Sequence, residues 1–361
     1  MADLDKERRE QYRRKVAEDF PERLEFPEFR KKLSLRYGIN PGGPAAFYAE
    51  EGASGPNMAN FKVLQEGRGL GYINTADLDL GQSLVKTLHD DYPESVVYVI
   101  VKHEMPSGVA IGRDSILAFE DAWVSDPLSS FGGVHVTSGR LEESVAKELI
   151  DKEKNVEAIF APSYSPEALD ILKGRKDLRV LQMQDINLPA IDNGLDYKRV
   201  EGGMLIQYRW KTRIHTAQDL ECVSVRQPTL YEINAARFTW KVAGFTRSNA
   251  VILGTPYRTH GIGSGQRSRI AAAVQAVDFA NGFGERYLGF GSKGTFMASD
   301  AYMPSTDVVE LAAQHGITGI VFPLGSLKDK EVIDAADEHG LTLLATRKPG
   351  EKDSERCFTH R

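Results

Sequence analysis

The chain has 361 residues, 41% hydrophobic and 27% charged, enough to bury a core in two domains or in one large duplicated one. A formal net charge of -6 speaks against a nucleic-acid or polyanion binder but leaves room for a local basic pocket around a phosphate. The two cysteines, Cys222 and Cys357, form no CxxC, so neither a zinc site nor a disulfide framework is indicated, and no apolar run approaches the roughly twenty residues of a membrane span.

Residues 1–33 are densely charged, with no secretory leader pattern, and are expected to form an amphipathic helix with one solvated face in a cytoplasmic protein. A helix is expected from Asp77 as its N-cap, with Leu80, Leu84 and Leu88 on one face. The run Val96–Val101 is too continuously apolar for a one-sided strand and reads as a buried one. A helix from Asp114 to Trp123, a turn at 129–133 and a strand at 134–137 follow, then a helix near 141–151 and strands at 156–160 and 178–183. Residues 184–228 read as an irregular connector. The second half begins with a helix through Ile233–Val242 and a strand at Asn249–Leu253; the glycine-rich segment Gly261–Gln266 is expected to be a turn opening an alanine-rich helix. Helices from Asp307 and Lys330, closed by Gly316 and Gly340, alternate with strands at 317–322 and 341–346. Strands alternating with helices predict an α/β fold with a largely parallel sheet, and the similar alternation in both halves suggests a duplicated unit.

Lys102 and His103 end the buried strand, where open α/β sheets place ligands, and a histidine beside a lysine can move a proton and steady negative charge. A surface pair at a strand end has the same sequence. Asn249 can donate to a carbonyl oxygen or simply end a turn. Gly261–Arg269 matches neither a Walker loop nor a GxGxxG fingerprint; its glycines permit close backbone approach and Arg269 offers a charge for a phosphate, or the segment is only a tight turn. Arg36-Tyr37-Gly38 is a turn with one cation, and His360 lies in a segment that ordinarily frays. The HxE and PCxxC pair of a zinc deaminase is absent.

Taken in order, these segments resemble the AICAR transformylase domain of the bifunctional purine-biosynthesis protein that also carries IMP cyclohydrolase. The matching blocks are Leu35-Arg36-Tyr37-Gly38, Tyr72-Ile73-Asn74, Val101-Lys102-His103, Ser129-Ser130-Phe131-Gly132-Gly133 and Ile159-Phe160-Ala161-Pro162. They continue through Gly202–Gln207, Arg226–Thr229, Ser248-Asn249-Ala250-Val251, Gly261–Arg269, Ser299-Asp300-Ala301 and Phe358-Thr359-His360. The resemblance implies duplicated cytidine-deaminase-like α/β units with mixed, largely parallel sheets and no zinc, here divided at 34–200 and 201–361, and a homodimer with shared sites.

The resemblance also implies site roles. Lys102 and His103 would be the catalytic pair, Asn249 would hold the formyl oxygen, and His360 would support the site. Arg36, Tyr37, Asn74, Glu157, Arg269 and Arg356 match nucleotide-binding positions, and Phe131, Ile270 and Tyr302 stand where the folate is contacted. AICAR and 10-formyltetrahydrofolate would be the substrates, with a monovalent cation left open. The chain departs from many relatives at Tyr302-Met303-Pro304-Ser305-Thr306, which leaves the formyl donor open, either the folate or a modified folate-like compound. A regulatory AICAR binder without catalysis is a further alternative. Too few residues precede Leu35 for a cyclohydrolase domain, so ring closure to IMP is expected to need a separate cyclohydrolase as partner.

Overall fold

The computed structural model describes residues 20–184, 186, 194–209, 214–284, 291–346 and 357–361. Strands β1 (Phe29–Leu35) and β2 (Ala45–Glu50) form an antiparallel hairpin closed by the Arg36–Pro44 turn. The expected N-terminal helix therefore does not reach residue 33. Residues 20–28 are non-helical, with prolines at 21 and 27 that disfavour a continuous helix, and Phe29–Leu35 finds its backbone partners in β2; residues 1–19 lie outside the described residues.

A first six-stranded sheet follows. Its elements are β3 (Lys62–Gln65), α1 (Tyr72–His89), β4 (Val96–Lys102), β5 (Met105–Gly112), α2 (Ser115–Ser125), α3 (Pro127–Ser130), β6 (Val134–Thr137), α4 (Glu143–Leu149), β7 (Ala158–Ala161), α5 (Pro166–Lys173) and β8 (Arg179–Gln182), with spatial order β3-β8-β7-β6-β4-β5. The chain then forms a hairpin of β9 (Leu195–Val200) and β10 (Gly203–Tyr208), where an irregular connector was expected; Gly202 at φ +73° makes the turn.

The second sheet comprises β11 (Leu220–Cys222), α6 (Leu230–Ala243), β12 (Val251–Gly254), β13 (Thr259–Gly263), α7 (Arg269–Phe279), β14 (Phe296–Ser299), α8 (Asp307–Gln314), β15 (Gly319–Phe322), α9 (Asp329–Glu338) and β16 (Thr342–Thr346), in the order β11-β16-β15-β14-β12-β13. Position for position the two orders are the same. In each sheet the last strands, β6–β8 and β14–β16, pair in parallel, while the flanking pairings are antiparallel. The sheets are thus mixed, with most strands sharing one direction.

Alternation along β4 assigns the layers. Val97, Val99 and Val101 pack with Leu84 and Leu88 of α1 and with Ala236 and Trp240 of α6 in a core that both halves share. Tyr98 and Ile100 face the opposite side, against Phe119 and Val145 from α2 and α4. Val251 and Leu253 of β12 likewise pack on Ala272 and Ala276 of α7. Asp91 joins the first half to α6 beside this layer, lying 2.6 Å from Lys241 Nζ and 2.8 Å from Arg237 Nη2.

Two local expectations need correcting. Helix α1 begins at Tyr72, because Asn74 Oδ1 accepts the Gly71 N–H at 3.2 Å and caps the helix five residues before the expected start; Asp77 lies inside it, buried. Gly261 and Gly263 belong to strand β13, not to a turn. A Cβ on either would overlap the carbonyl oxygens of Ala276 or Ala272, so glycine is what lets α7 lie directly on the strand.

The sheets meet edge to edge. Ile111 N–H of β5 donates to Tyr257 O at 2.7 Å, and Val109 N–H donates to Thr259 Oγ1 at 3.0 Å. Ser125 Oγ donates to Thr259 O at 2.6 Å. The two edge strands run antiparallel, which sets the carboxyl end of β4 beside the amino end of β12.

Candidate active site

Lys102 closes β4, and His103 and Glu104 form the whole connection to β5, at φ +55° and +59°. Consecutive left-handed residues suit the tight turn that matches strand twist, but without glycine they cost about 1–2 kcal/mol per residue. Asp77 Oδ1 accepts the Glu104 N–H at 2.6 Å from inside α1. Burial pushes the Asp77 carboxyl up to about 6, opposed by the N–H groups of Glu104 and His103. Lys102 Nζ donates to Phe131 O at 2.6 Å, so the amine stands over the loop that carries the exposed Phe131 ring. Because β4 runs against β6–β8, its carboxyl end lies with the amino ends of those parallel strands, and the neighbours of the turn are residues that precede them.

One such residue is Glu157, which pairs with buried Arg179; Arg179 Nε also donates to Gly69 O at 2.7 Å. That loop leads into α1, where the Arg36-Tyr37 turn is docked. Arg36 N–H donates to Leu70 O at 2.7 Å, Tyr72 N–H donates to Tyr37 O at 3.1 Å, and the Arg36 guanidinium lies 5.1 Å from the centre of the Tyr37 ring. Arg36, Tyr37 and Asn74 therefore cluster at the amino end of an 18-residue helix, whose dipole and free N–H groups favour an anion.

The second half contributes Asn249, just before β12. Its Nδ2 donates to Gln266 O at 2.7 Å, and its backbone N–H reaches the same oxygen at 3.2 Å. Arg269, expected at the nucleotide, is buried at the start of α7 and paired with Asp300; burial lowers its guanidinium to about 10. Its Nη1 is committed to an internal carboxylate. His360 Nδ1 lies 3.0 Å from Ser248 Oγ and 3.4 Å from Asp300 Oδ2, and burial followed by the Arg269 charge moves its pKa down, favouring the neutral ring. The His360 ring stacks on Phe358 at 5.9 Å, and Tyr302 meets Phe358 edge-on at 6.3 Å. Ile270 lines an open, mainly apolar groove of about 660 Å³ along α7, with Gln266, Val274 and Phe279. Arg356 lies outside the described residues.

Contacts across the seam join these groups. Arg361 Nη1 donates to Glu104 O at 3.1 Å and to Phe245 O at 3.2 Å, while Ser248 N–H donates to Arg361 O at 3.2 Å. Ser264 Oγ sits 3.1 Å from Met105 Sδ. The turn with His103 and the turn with Asn249 thus border one seam. Sequence reasoning missed Asp77, Gln266 and Arg361 as members of this network. Gln266 and Asp300, each inside a matching block, carried the only signal, and it was one of position along the chain, not of role.

Among the described residues no group of three or more His, Cys, Asp or Glu could hold a metal ion, and no helix is long and apolar enough to cross a membrane. The model of the AICARFT/IMPCHase bienzyme family matches residues 2–278, a span containing Arg36, Lys102, His103, Asn249 and Arg269, with Asp300, Tyr302 and His360 beyond it. With most of its length matched, and Lys102, His103 and Asn249 inside the match, the chain belongs to the AICARFT/IMPCHase bienzyme family, an enzyme family of purine biosynthesis.

Proposed function

We propose that this chain is an AICAR formyltransferase, moving a formyl group from 10-formyltetrahydrofolate to the amine of AICAR. The observation that carries the reading is that a Lys102-His103 turn and an Asn249 turn border one seam in a chain of this family. The amine of AICAR is conjugated with its ring and is a weak nucleophile, so it must lose a proton as it attacks. Exposed His103 is suited to take that proton.

Attack on the formyl carbon makes a tetrahedral oxyanion. Lys102 carries three N–H donors and the Asn249 amide two, so each keeps a free donor beyond its bond to Phe131 O or Gln266 O. The bond to N10 of the folate then breaks, that nitrogen gains a proton, and tetrahydrofolate leaves with formyl-AICAR as product. Arg36 at the amino end of α1 is a suitable partner for the nucleotide phosphate. The repeated strand order supports reading the fold as two cytidine-deaminase-like units.

Mixing purified protein with AICAR and 10-formyltetrahydrofolate should release tetrahydrofolate and yield formyl-AICAR on chromatography; a folded protein that releases none refutes the reading. Tyr302, which carries a hydroxyl and whose ring packs edge-on against Phe358, favours a second reading in which the donor is a modified folate-like compound. Turnover with such a donor alone would select that reading.

A further inference from the structure

We propose that Asp77 and Arg361 are positioning residues, which hold His103 in register with Asn249 by binding the backbone N–H and C=O of Glu104. The inference deepens the formyltransferase reading and rests on it. The turn consists of two residues without glycine, both at positive φ, and both are exposed, so packing alone does little to hold it. Its N–H is fixed from beneath by the carboxylate of Asp77, which is buried in α1 and therefore rigidly placed. Its carbonyl is fixed from the second half, where the Arg361 guanidinium binds Glu104 O and Phe245 O together. Arg361 is itself tied to the residue before Asn249, since its carbonyl accepts the Ser248 N–H at 3.2 Å. One short path therefore runs from the His103 turn to the Asn249 turn, and its central link is a side chain from neither sheet.

Neither residue is assigned contact with substrate, so their removal should change turnover more than binding. A displacement of about 1 Å at a reacting group can lower a rate on the order of a hundredfold. We expect Arg361→Ala to lower kcat by about ten- to a hundredfold, with KM for AICAR within about threefold and the melting temperature unchanged. Arg361→Lys, which keeps one donor for Glu104 O, should recover part of the loss. At position 77, asparagine keeps an oxygen to accept the Glu104 N–H and alanine does not, so Asp77→Asn should turn over at least about tenfold faster than Asp77→Ala.

Hydrogen exchange at the Glu104 amide gives a readout that does not depend on activity. Protection should fall about tenfold or more in Asp77→Ala relative to Asp77→Asn. If the unmodified chain releases no tetrahydrofolate, the formyltransferase reading fails and the exchange comparison still decides whether Asp77 holds the turn. Unchanged kcat in Arg361→Ala, or equal Glu104 protection in the two variants at position 77, overturns the proposal.

Discussion

The two sheets share strand order and direction, yet they bring opposite ends to the seam. In the first, Lys102, His103 and Glu157 stand at the amino ends of β6–β8. In the second, Asp300 and the residues before β12 stand at the carboxyl ends of β14–β16. The β12–β13 connection, which corresponds to the His103-Glu104 turn, lies at the far end of the seam, where Arg258 pairs with Asp121 of α2 and Tyr257 O receives an N–H from β5. Topology alone therefore does not decide which end of a sheet reaches the seam. The antiparallel meeting of β5 and β13 does, because it sets the end of β4 against the start of β12.

The sharpest way to break this comparison is to remove one reactive group from each half. We expect His103→Ala to lower turnover by about two to four powers of ten, as loss of a placed general base does. Asn249→Ala should cost about two to three, as loss of one oxyanion donor does. Steady-state kinetics with AICAR and 10-formyltetrahydrofolate tests both. Equal and negligible effects would mean that the seam is not where the reaction occurs.

A second pair tests the shared scaffold. A Cβ at Gly108 would overlap Ala122 O of α2, just as one at Gly261 would overlap Ala276 O of α7. Gly108→Ala and Gly261→Ala should each destabilise by about 1–3 kcal/mol, since helix backbone must move away from strand backbone. Gly43→Ala, whose nearest neighbour would be Asn40 O at 3.7 Å, should stay within about 0.5 kcal/mol. Calorimetry of the three variants measures this, and a large loss in only one half would show that the repeated topology is not matched by repeated packing.

A third test concerns Asp77, for which the second half offers no counterpart among the contacts described. A carboxyl raised to about 6 by burial binds more protons when folded than when unfolded. Its favourable contribution is complete below the unfolded pKa and is lost as pH rises through about 6. Asp77→Asn removes that titration, so its melting temperature relative to the unmodified chain should be higher at pH 7.5 than at pH 4. The corresponding change in relative stability between the two pH values should be on the order of 2–3 kcal/mol. Parallel melting curves at the two pH values would contradict the burial argument.

What was legible in the sequence was local. Leu80, Leu84 and Leu88 marked the buried face of α1, the Val96–Val101 run marked a strand covered on both sides, and Gly316 and Gly340 marked helix ends, because each signal comes from neighbours along the chain. Lys102, His103 and Asn249 were also legible as candidates, from residue type and from family blocks. The β9–β10 hairpin was missed although Gly202 announced its turn, because its strands lack clean alternation and stay largely exposed.

Other features had no local signal at all. The sequence by itself determined the repeated α/β alternation and the residue types that chemistry would need. Only the tertiary structure decided that Asp77 holds a turn instead of starting a helix, that Arg269 is committed to Asp300, and that Gly261 lies beneath a helix. The physical reason is that each of these depends on a partner far along the chain, and the partner is chosen by how two sheets meet at their edges.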